Sequence, residues 1–486
     1  MKKFFTIFTA ILLALVLTGG YMSWQKGDLS VDGFLSVAKE VLQGDNKREL
    51  PTLPTVTEKQ PEENLSYQER MEKGDYYFDH GFLSFAANEY ARAANLEPNR
   101  VDPYRKLLVT HFELRNYRKA LSNAETVLAL NPTHAETLYD VLRIHIRLSD
   151  FESAKGLADS YQITDATDAR ILYYKGLLEA LNRNHELAQK LLKEARVKSD
   201  DPSLDKDTDV MLEAYREFEF TQAAQELFLS ELIARGFNKV EEYEMAIHLL
   251  KEVLKERGDL RDGWILLGFA YLNLEKYQFA LTALDRAYSL DPEWTTTQYF
   301  LGIAHMELDH SEDSINYFSL ALTNGFEPQV VVYRHLANLY FEAEAYDQSV
   351  AAYEKVLELS EADVSAYIRP VWIYIDFIDD SQKAKTLAET AVLNFPESAM
   401  SYNLLGWSYI GLGQSDKAER NLKKALELEP NLAAAHYNLG HLYETQNREQ
   451  LALDSYQQAY ELDGSGSIGN RAAAAYNELL RTTSTN

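Results

Sequence analysis

Two glycine motifs and two spaced histidine pairs are the residues whose types could carry chemistry. GSGSIG at Gly464 to Gly469 matches G-x-G-x-x-G, whose glycines let a backbone close on a pyrophosphate at a helix N-terminus. That chemistry needs a strand before the motif and a parallel sheet around it. Here a helical pattern ends near Asp463, so the motif reads as a flexible joint before a last helix. GWSYIG at Gly406 to Gly411 resembles a nucleophile elbow, but its second glycine falls one residue too late for G-x-S-x-G. His305 and His310 lie five residues apart, as do His436 and His441. Helix-borne zinc pairs use i and i+4, so these imidazoles read as polar variants of packing residues. The carboxylates follow exposed helix faces, with no pair singled out for acid–base work and no D-x-D-x-D-G calcium loop. The chain has no cysteine, which excludes disulfides, thiolate metal sites and cysteine nucleophiles. The expectation is no catalytic, cofactor or metal site and therefore no enzyme.

The surrounding composition points the same way. The 486 residues carry 48 Lys and Arg against 75 Asp and Glu, a formal charge of −27. Phosphate contacts need a basic surface, so a nucleic-acid partner is excluded and basic or neutral protein partners are favoured. Apolar residues make up 46% of the chain, enough for a large core.

The elements that would position any site fall into three kinds. After Lys2 and Lys3 the chain runs uncharged from Phe4 to Gln25. Phe4 to Trp24 is long enough to cross a bilayer as an anchor, with cleavage after Gly20 as the alternative of a secretory signal. Either way the two lysines stay inside and the rest faces out. Residues 1–25 are thus read as signal-anchor or signal peptide and 26–66 as a juxtamembrane helix (Asp28 to Gln43) and a linker with Pro51, Pro54 and Pro61.

From Tyr67 onward helical patterns alternate with short turns, and the pattern repeats. Trp264, Leu267, Gly268, Tyr271, Ala280, Ala287 and Pro292 take positions 4, 7, 8, 11, 20, 27 and 32 of a unit beginning at Arg261. Tyr402, Leu405, Gly406, Tyr409, Ala418, Ala425 and Pro430 take the same positions from Ala399. Small residues at positions 8 and 20 are expected to face each other, with large residues near 11 and 24 beside them. Proline at 32 ends the second helix because it lacks the N–H and clashes with the preceding turn. One helix pair cannot bury its apolar face alone, so units stack.

This pattern resembles the tetratricopeptide repeat, a 34-residue helix–turn–helix unit. The resemblance implies an all-α solenoid of about eleven units. Units one to four occupy 67–200, an insertion or extra helix 201–226, units five to eleven 227–464, and a capping helix and tail 465–486. In the ninth unit Pro370 stands where Leu belongs, and one extra residue near Asp379 and Asp380 shifts the pattern.

In proteins of this resemblance the inner groove is lined by positions 2, 5, 9, 12 and 13 of each first helix. Carried onto this chain, those positions assign a partner groove to Ile265, Phe269, Tyr299, Phe341, Trp372, Asn403, Trp407 and Tyr437. Exposed large apolar residues that the repeat does not need for packing mark a partner site. The expected function is a non-enzymatic scaffold of the bacterial cell envelope that binds a peptide or helix in this groove. The alternatives are a structural subunit of a secretion, pilus or polysaccharide-export assembly, and an accessory part of an enzyme complex.

Overall fold

A computed structural model describes residues 65–132, 134–160, 168–219, 226–359, 363–464 and 466–483. The anchor, the juxtamembrane helix and nearly all of the linker lie outside these residues. No helix of the described residues is long and apolar enough to cross a membrane. The chain divides into two units, Met1 to Arg70 and Met71 to Asn486. The described part of the first opens a helix with a capping box. Ser66 N–H and Oγ each meet Glu69 Oε2 at 2.8 Å, and Glu69 N–H donates back to Ser66 Oγ at 3.3 Å.

The described residues form 24 helices and no strand. They group as eleven antiparallel pairs and two single helices. α1 (Tyr67–Asp79) and α2 (Leu83–Leu96) form the first pair, α3 (Val101–Glu113) and α4 (Tyr117–Leu130) the second, α5 (Ala135–Arg147) and α6 (Phe151–Ser160) the third, and α7 (Ala169–Leu181) and α8 (His185–Lys198) the fourth. The single helix α9 (Pro202–Glu219) follows. Pairs five to eight are α10 (Glu226–Lys239) with α11 (Tyr243–Glu256), α12 (Arg261–Asn273) with α13 (Tyr277–Leu290), α14 (Thr295–Met306) with α15 (Ser311–Thr323), and α16 (Gln329–Glu342) with α17 (Tyr346–Leu359). Pairs nine to eleven are α18 (Ser365–Asp376) with α19 (Ser381–Asn394), α20 (Ala399–Gly411) with α21 (Ser415–Leu428), and α22 (Ala433–Thr445) with α23 (Glu449–Asp463). α24 (Ser467–Thr483) ends the series. The two helices of a pair pack on each other, and each second helix packs on the helix that follows it, the connectivity of an α-solenoid.

Size complementarity holds each pair together, and its tightest contact joins positions 8 and 24. A Cβ added at Gly268 would lie 2.6 Å from Leu284, and one at Gly302, Gly406 or Gly440 would strike Phe318, Leu422 or Tyr456 as closely. The small residue at position 8 therefore makes room for the large one at position 24 and also meets position 20, where Ser314 Oγ donates to Gly302 O at 2.8 Å and Ser349 Oγ to Ala337 O at 2.7 Å. Where position 8 is large the order inverts. Leu108, Leu142 and Val371 are paired in the register with Ala124, Ala158 and Ala388, and all six are buried. The filled volume is thus kept while the side chains trade places.

The turn inside each pair is built alike. One residue takes the left-handed region in all eleven, from Arg115 (φ 57°) to Asn447 (φ 58°), with glycine there only at Gly81 and Gly413. Arg115 N–H donates to Phe112 O at 2.9 Å and Asn116 N–H to His111 O at 2.8 Å, closing the first helix in a Schellman motif. In the ninth pair the closing bond runs from Asp380 N–H to Tyr374 O at 2.8 Å, one residue longer. Pro98, Pro132, Pro292 and Pro430 each stand two residues beyond a second helix.

First helices touch in succession from α10 through α12 to α14, and from α18 through α20 and α22 to α24. This inner row decides which side chains a partner could reach.

Candidate functional site

The residues assigned to the groove do not form one uniform surface. Ile265 on α12 is 7% exposed and packs in the interior. Asn403 on α20 is 2% exposed, and its Oδ1 accepts from Asn438 Nδ2 at 2.9 Å. Both belong to the packing between helices, because a first helix in contact with first helices on either side hides its flanks. They are corrected here from groove to core. Phe269, Tyr299, Phe341, Trp372, Trp407 and Tyr437 are half-buried, with ring faces or edges at the surface.

These rings gather in two clusters. In the first, Phe269 on α12 lies 5.5 Å from Phe300 on α14, and Tyr243 at the start of α11 lies 6.3 Å from Phe269. The neighbouring Tyr299 stacks on Phe326, 4.5 Å between centroids and 15° between planes. Burial pushes the Tyr299 hydroxyl above its ordinary pKa, so it remains a neutral donor. A cleft of 270 Å³ opens here, lined by Phe269, Leu272, Asn273, Tyr277, Ile303 and Glu307 among others.

The second cluster centres on the ninth pair. Phe341 on α16 is 5.2 Å from Trp372 on α18, and Phe377 sits 5.3 Å from Phe341, 5.0 Å from Trp372 and 4.6 Å from Tyr346. The Arg369 guanidinium lies 5.2 Å from the Phe341 ring centre and 5.5 Å from that of Trp372. Trp372 donates its indole N–H to Asp376 Oδ2 at 2.8 Å, which fixes the ring. Asp376 also meets Arg471 Nη2 at 3.5 Å, and Arg471 lies 5.2 Å from the centre of Tyr437. Arg471 belongs to α24, so the terminal helix reaches the row of groove residues and links its ninth-pair and eleventh-pair members.

Phe377, Tyr346 and Arg369 were not on the sequence-derived set. Phe377 closes α18 and is 39% exposed, outside the groove positions of a regular unit. The lengthened turn brings it there, so the extra residue near Asp379 was the signal that pointed to it. The combined face offers aromatic edges, a guanidinium and the carboxylates Glu307 and Asp376. Such a face takes apolar side chains with a basic or amide neighbour.

Comparison with known proteins adds the family. The tetratricopeptide repeat models match residues 262–293, 332–363 and 403–467. These stretches coincide with the sixth, eighth, tenth and eleventh pairs, and the chain carries tetratricopeptide repeats. It is similar to heat shock protein STI1 of Saccharomyces cerevisiae, 32% identical over 129 residues, or 25% of this chain and 21% of that protein. It is also similar to anaphase-promoting complex subunit 3 of Schizosaccharomyces pombe, 23% identical over 217 residues, or 45% of this chain and 32% of that protein. The matches thus span a third or less of these relatives' length. Among solved structures, the APC/C hetero-tetramer Cut9–Hcn1 aligns over 86% of this chain and 97% of that chain, at 13% identity and a TM-score of 0.31.

Proposed function

We propose that this chain is a non-enzymatic protein-interaction scaffold that captures a peptide or helix of a partner along the aromatic face of pairs six to eleven. The observation that supports it best is the cluster of Phe341, Trp372 and Phe377 with Arg369. These side chains converge at the surface although the pairing of small and large residues inside each repeat does not require them. Aromatic anchors of this kind supply most of the affinity in many interfaces. The net charge of −27 favours a basic or neutral partner and speeds its encounter. Two of the similar proteins are named for heat shock and for a multi-subunit complex, and a role in holding proteins together is in keeping with both names.

The test is the double variant Trp372→Ala and Trp407→Ala. Partner capture is expected to weaken by roughly 30-fold or more, as loss of ~2 kcal/mol or more at a hot spot implies. The helical circular-dichroism signal is expected to stay. Unchanged capture by a folded double variant refutes the groove.

The same proposal places the chain at a membrane of the bacterial cell envelope through Phe4 to Trp24, with the repeats on the outer side. Its support is the sequence: two lysines followed by an uncharged apolar run. Protease added to intact spheroplasts would digest the repeats if this orientation holds and spare them if it does not.

A further inference from the structure

His305 is in the last turn of α14 and His310 stands immediately before α15. Between them Asp309 takes the left-handed conformation, φ 59°, that turns the chain back in every pair. His310 N–H donates to His305 O at 2.9 Å, and Asp309 N–H to Met306 O at 3.1 Å. These backbone bonds bring the two imidazoles together, and their Nδ1 atoms lie 3.4 Å apart. Asp313, in the first turn of α15, places Oδ2 3.8 Å from His305 Nδ1. All three ligand atoms fall within 4.8 Å of one another, and among the described residues no other trio of His, Asp or Glu does so.

The separation carries the chemistry. Two nitrogens bound to one tetrahedral zinc ion at ~2.05 Å must be about 3.3 Å apart. The two Nδ1 atoms already stand at that spacing, and 3.4 Å is long for an N–H···N bond. The Asp313 carboxylate is exposed, and its 3.8 Å from His305 Nδ1 is within about half an ångström of the ~3.4 Å that separates nitrogen and oxygen donors on one tetrahedral zinc ion. The His305 ring is held by Tyr317, parallel within 13° at 5.3 Å.

We propose that the turn between α14 and α15 binds a divalent transition-metal ion of the zinc class through His305 Nδ1, His310 Nδ1 and the Asp313 carboxylate. Imidazole with carboxylate suits such ions rather than magnesium or calcium. Three protein ligands leave a fourth position for water or for a donor from a partner. Bound there, the ion pins the seventh pair's turn, joining the end of the helix that carries Tyr299 to the start of the next.

Two other sites show that the turn, and not the spacing, makes this arrangement. His145 and Asp150 straddle the third turn at the same interval and meet at 3.1 Å. His436 and His441 also differ by five, but both lie within α22, where His436 Nε2 meets Pro430 O at 2.9 Å.

The full chain, stripped with a chelator, is titrated with zinc chloride against a chromophoric zinc indicator. One zinc per chain is expected at this site. His310→Ala is expected to weaken it by about 100-fold or more, because loss of an outer-shell partner alone costs 10–100-fold and this residue is a direct ligand. Asp313→Asn is expected to weaken it too, and His441→Ala to leave it unchanged. His310 is exposed, so its variant keeps the fold, which circular dichroism checks. Zinc should raise the thermal midpoint of the wild type but not of His310→Ala. Equal zinc affinity and stoichiometry in wild type and His310→Ala overturns the proposal, as does a wild type that binds no zinc.

Discussion

Pairs three to five and pairs six to eleven are built from the same repeat, yet their inner faces differ. In the first region α7 is buried at every residue from Ile171 to Leu181, including Lys175 and Glu179. Arg147 on α5 crosses to Glu242 at 2.6 Å and to Glu244 at 3.1 Å, and Tyr174 donates to Glu242 at 3.1 Å. Burial opposes the Arg147 charge, but the two glutamates outweigh it and hold the guanidinium firmly protonated. Phe151 meets His248 at 5.0 Å, and the closure reaches one pair further on each side, where Arg115 in the turn of pair two meets Glu275 in the turn of pair six at 2.8 Å. Beyond that bridge at the edge of the second region, the next between distant pairs among the described residues is Arg471 with Asp376, and the rings of Phe269, Phe341 and Trp372 stay half-buried at the surface. An inner position is therefore available to a partner only where distant pairs do not close over it.

The largest effect is expected from breaking the closed region. Arg147→Ala leaves Glu242 and Glu244 without their cation in a site where both are less than a tenth exposed. Loss of one member of a buried ion pair costs about 3–5 kcal/mol. Urea unfolding should show this as an early transition of pairs three to five, with pairs six to eleven unfolding as before. A single unshifted transition would mean that the filled region adds no stability of its own.

A smaller effect tests the packing rule inside a pair of the open region. Gly268→Ala puts a Cβ 2.6 Å from Leu284, and such overpacking costs about 1–3 kcal/mol. Leu284→Ala alone opens a cavity at a cost of ~2–5 kcal/mol. Together the two should cost less than their sum by about 1–3 kcal/mol, since the second change removes the clash of the first. Additive costs in a double-mutant cycle would show that positions 8 and 24 do not trade volume.

The smallest effect is a pH dependence within the open region. His335 stacks on Phe318 at 5.1 Å and 3°, and burial, helped by Arg334, lowers its pKa against the opposing pull of Glu307. The folded chain then binds this proton less readily than the unfolded chain. The stability from the neutral ring is complete above ~6.5, the ordinary histidine pKa, and declines as pH falls through the lowered value. Melting followed from pH 7 to 5 in the presence of chelator should fall less steeply for His335→Phe than for the wild type. Equal slopes would show that the ring is solvated despite its stacking.

The repeat itself was legible from residues at fixed spacing. Gly268, Ala280 and Pro292 announce a helix, its partner and the stop between units, because each acts through its own backbone or its nearest packing neighbour. The aromatic face was legible in part. Phe269, Tyr299, Phe341, Trp372, Trp407 and Tyr437 sit at the positions that a regular unit turns inward, and they are half-buried at the surface. Ile265 and Asn403 hold equivalent positions but are covered by adjacent helices. Phe377 escaped the pattern because it is carried by an irregular turn.

By itself the sequence determined the alternation of small and large side chains, and with it the pairing of helices and their order. Only the tertiary structure decided which equivalent positions meet. His305 and His310 converge while His436 and His441, at the same interval, do not, because the first pair spans a left-handed turn and the second one helix. Likewise Arg147 and Glu242 are 95 residues apart and meet only because stacked pairs curve back on one another. Spacing along the chain encodes contacts within a turn or two of helix; contacts across pairs follow from the accumulated angles between them, which no single interval records.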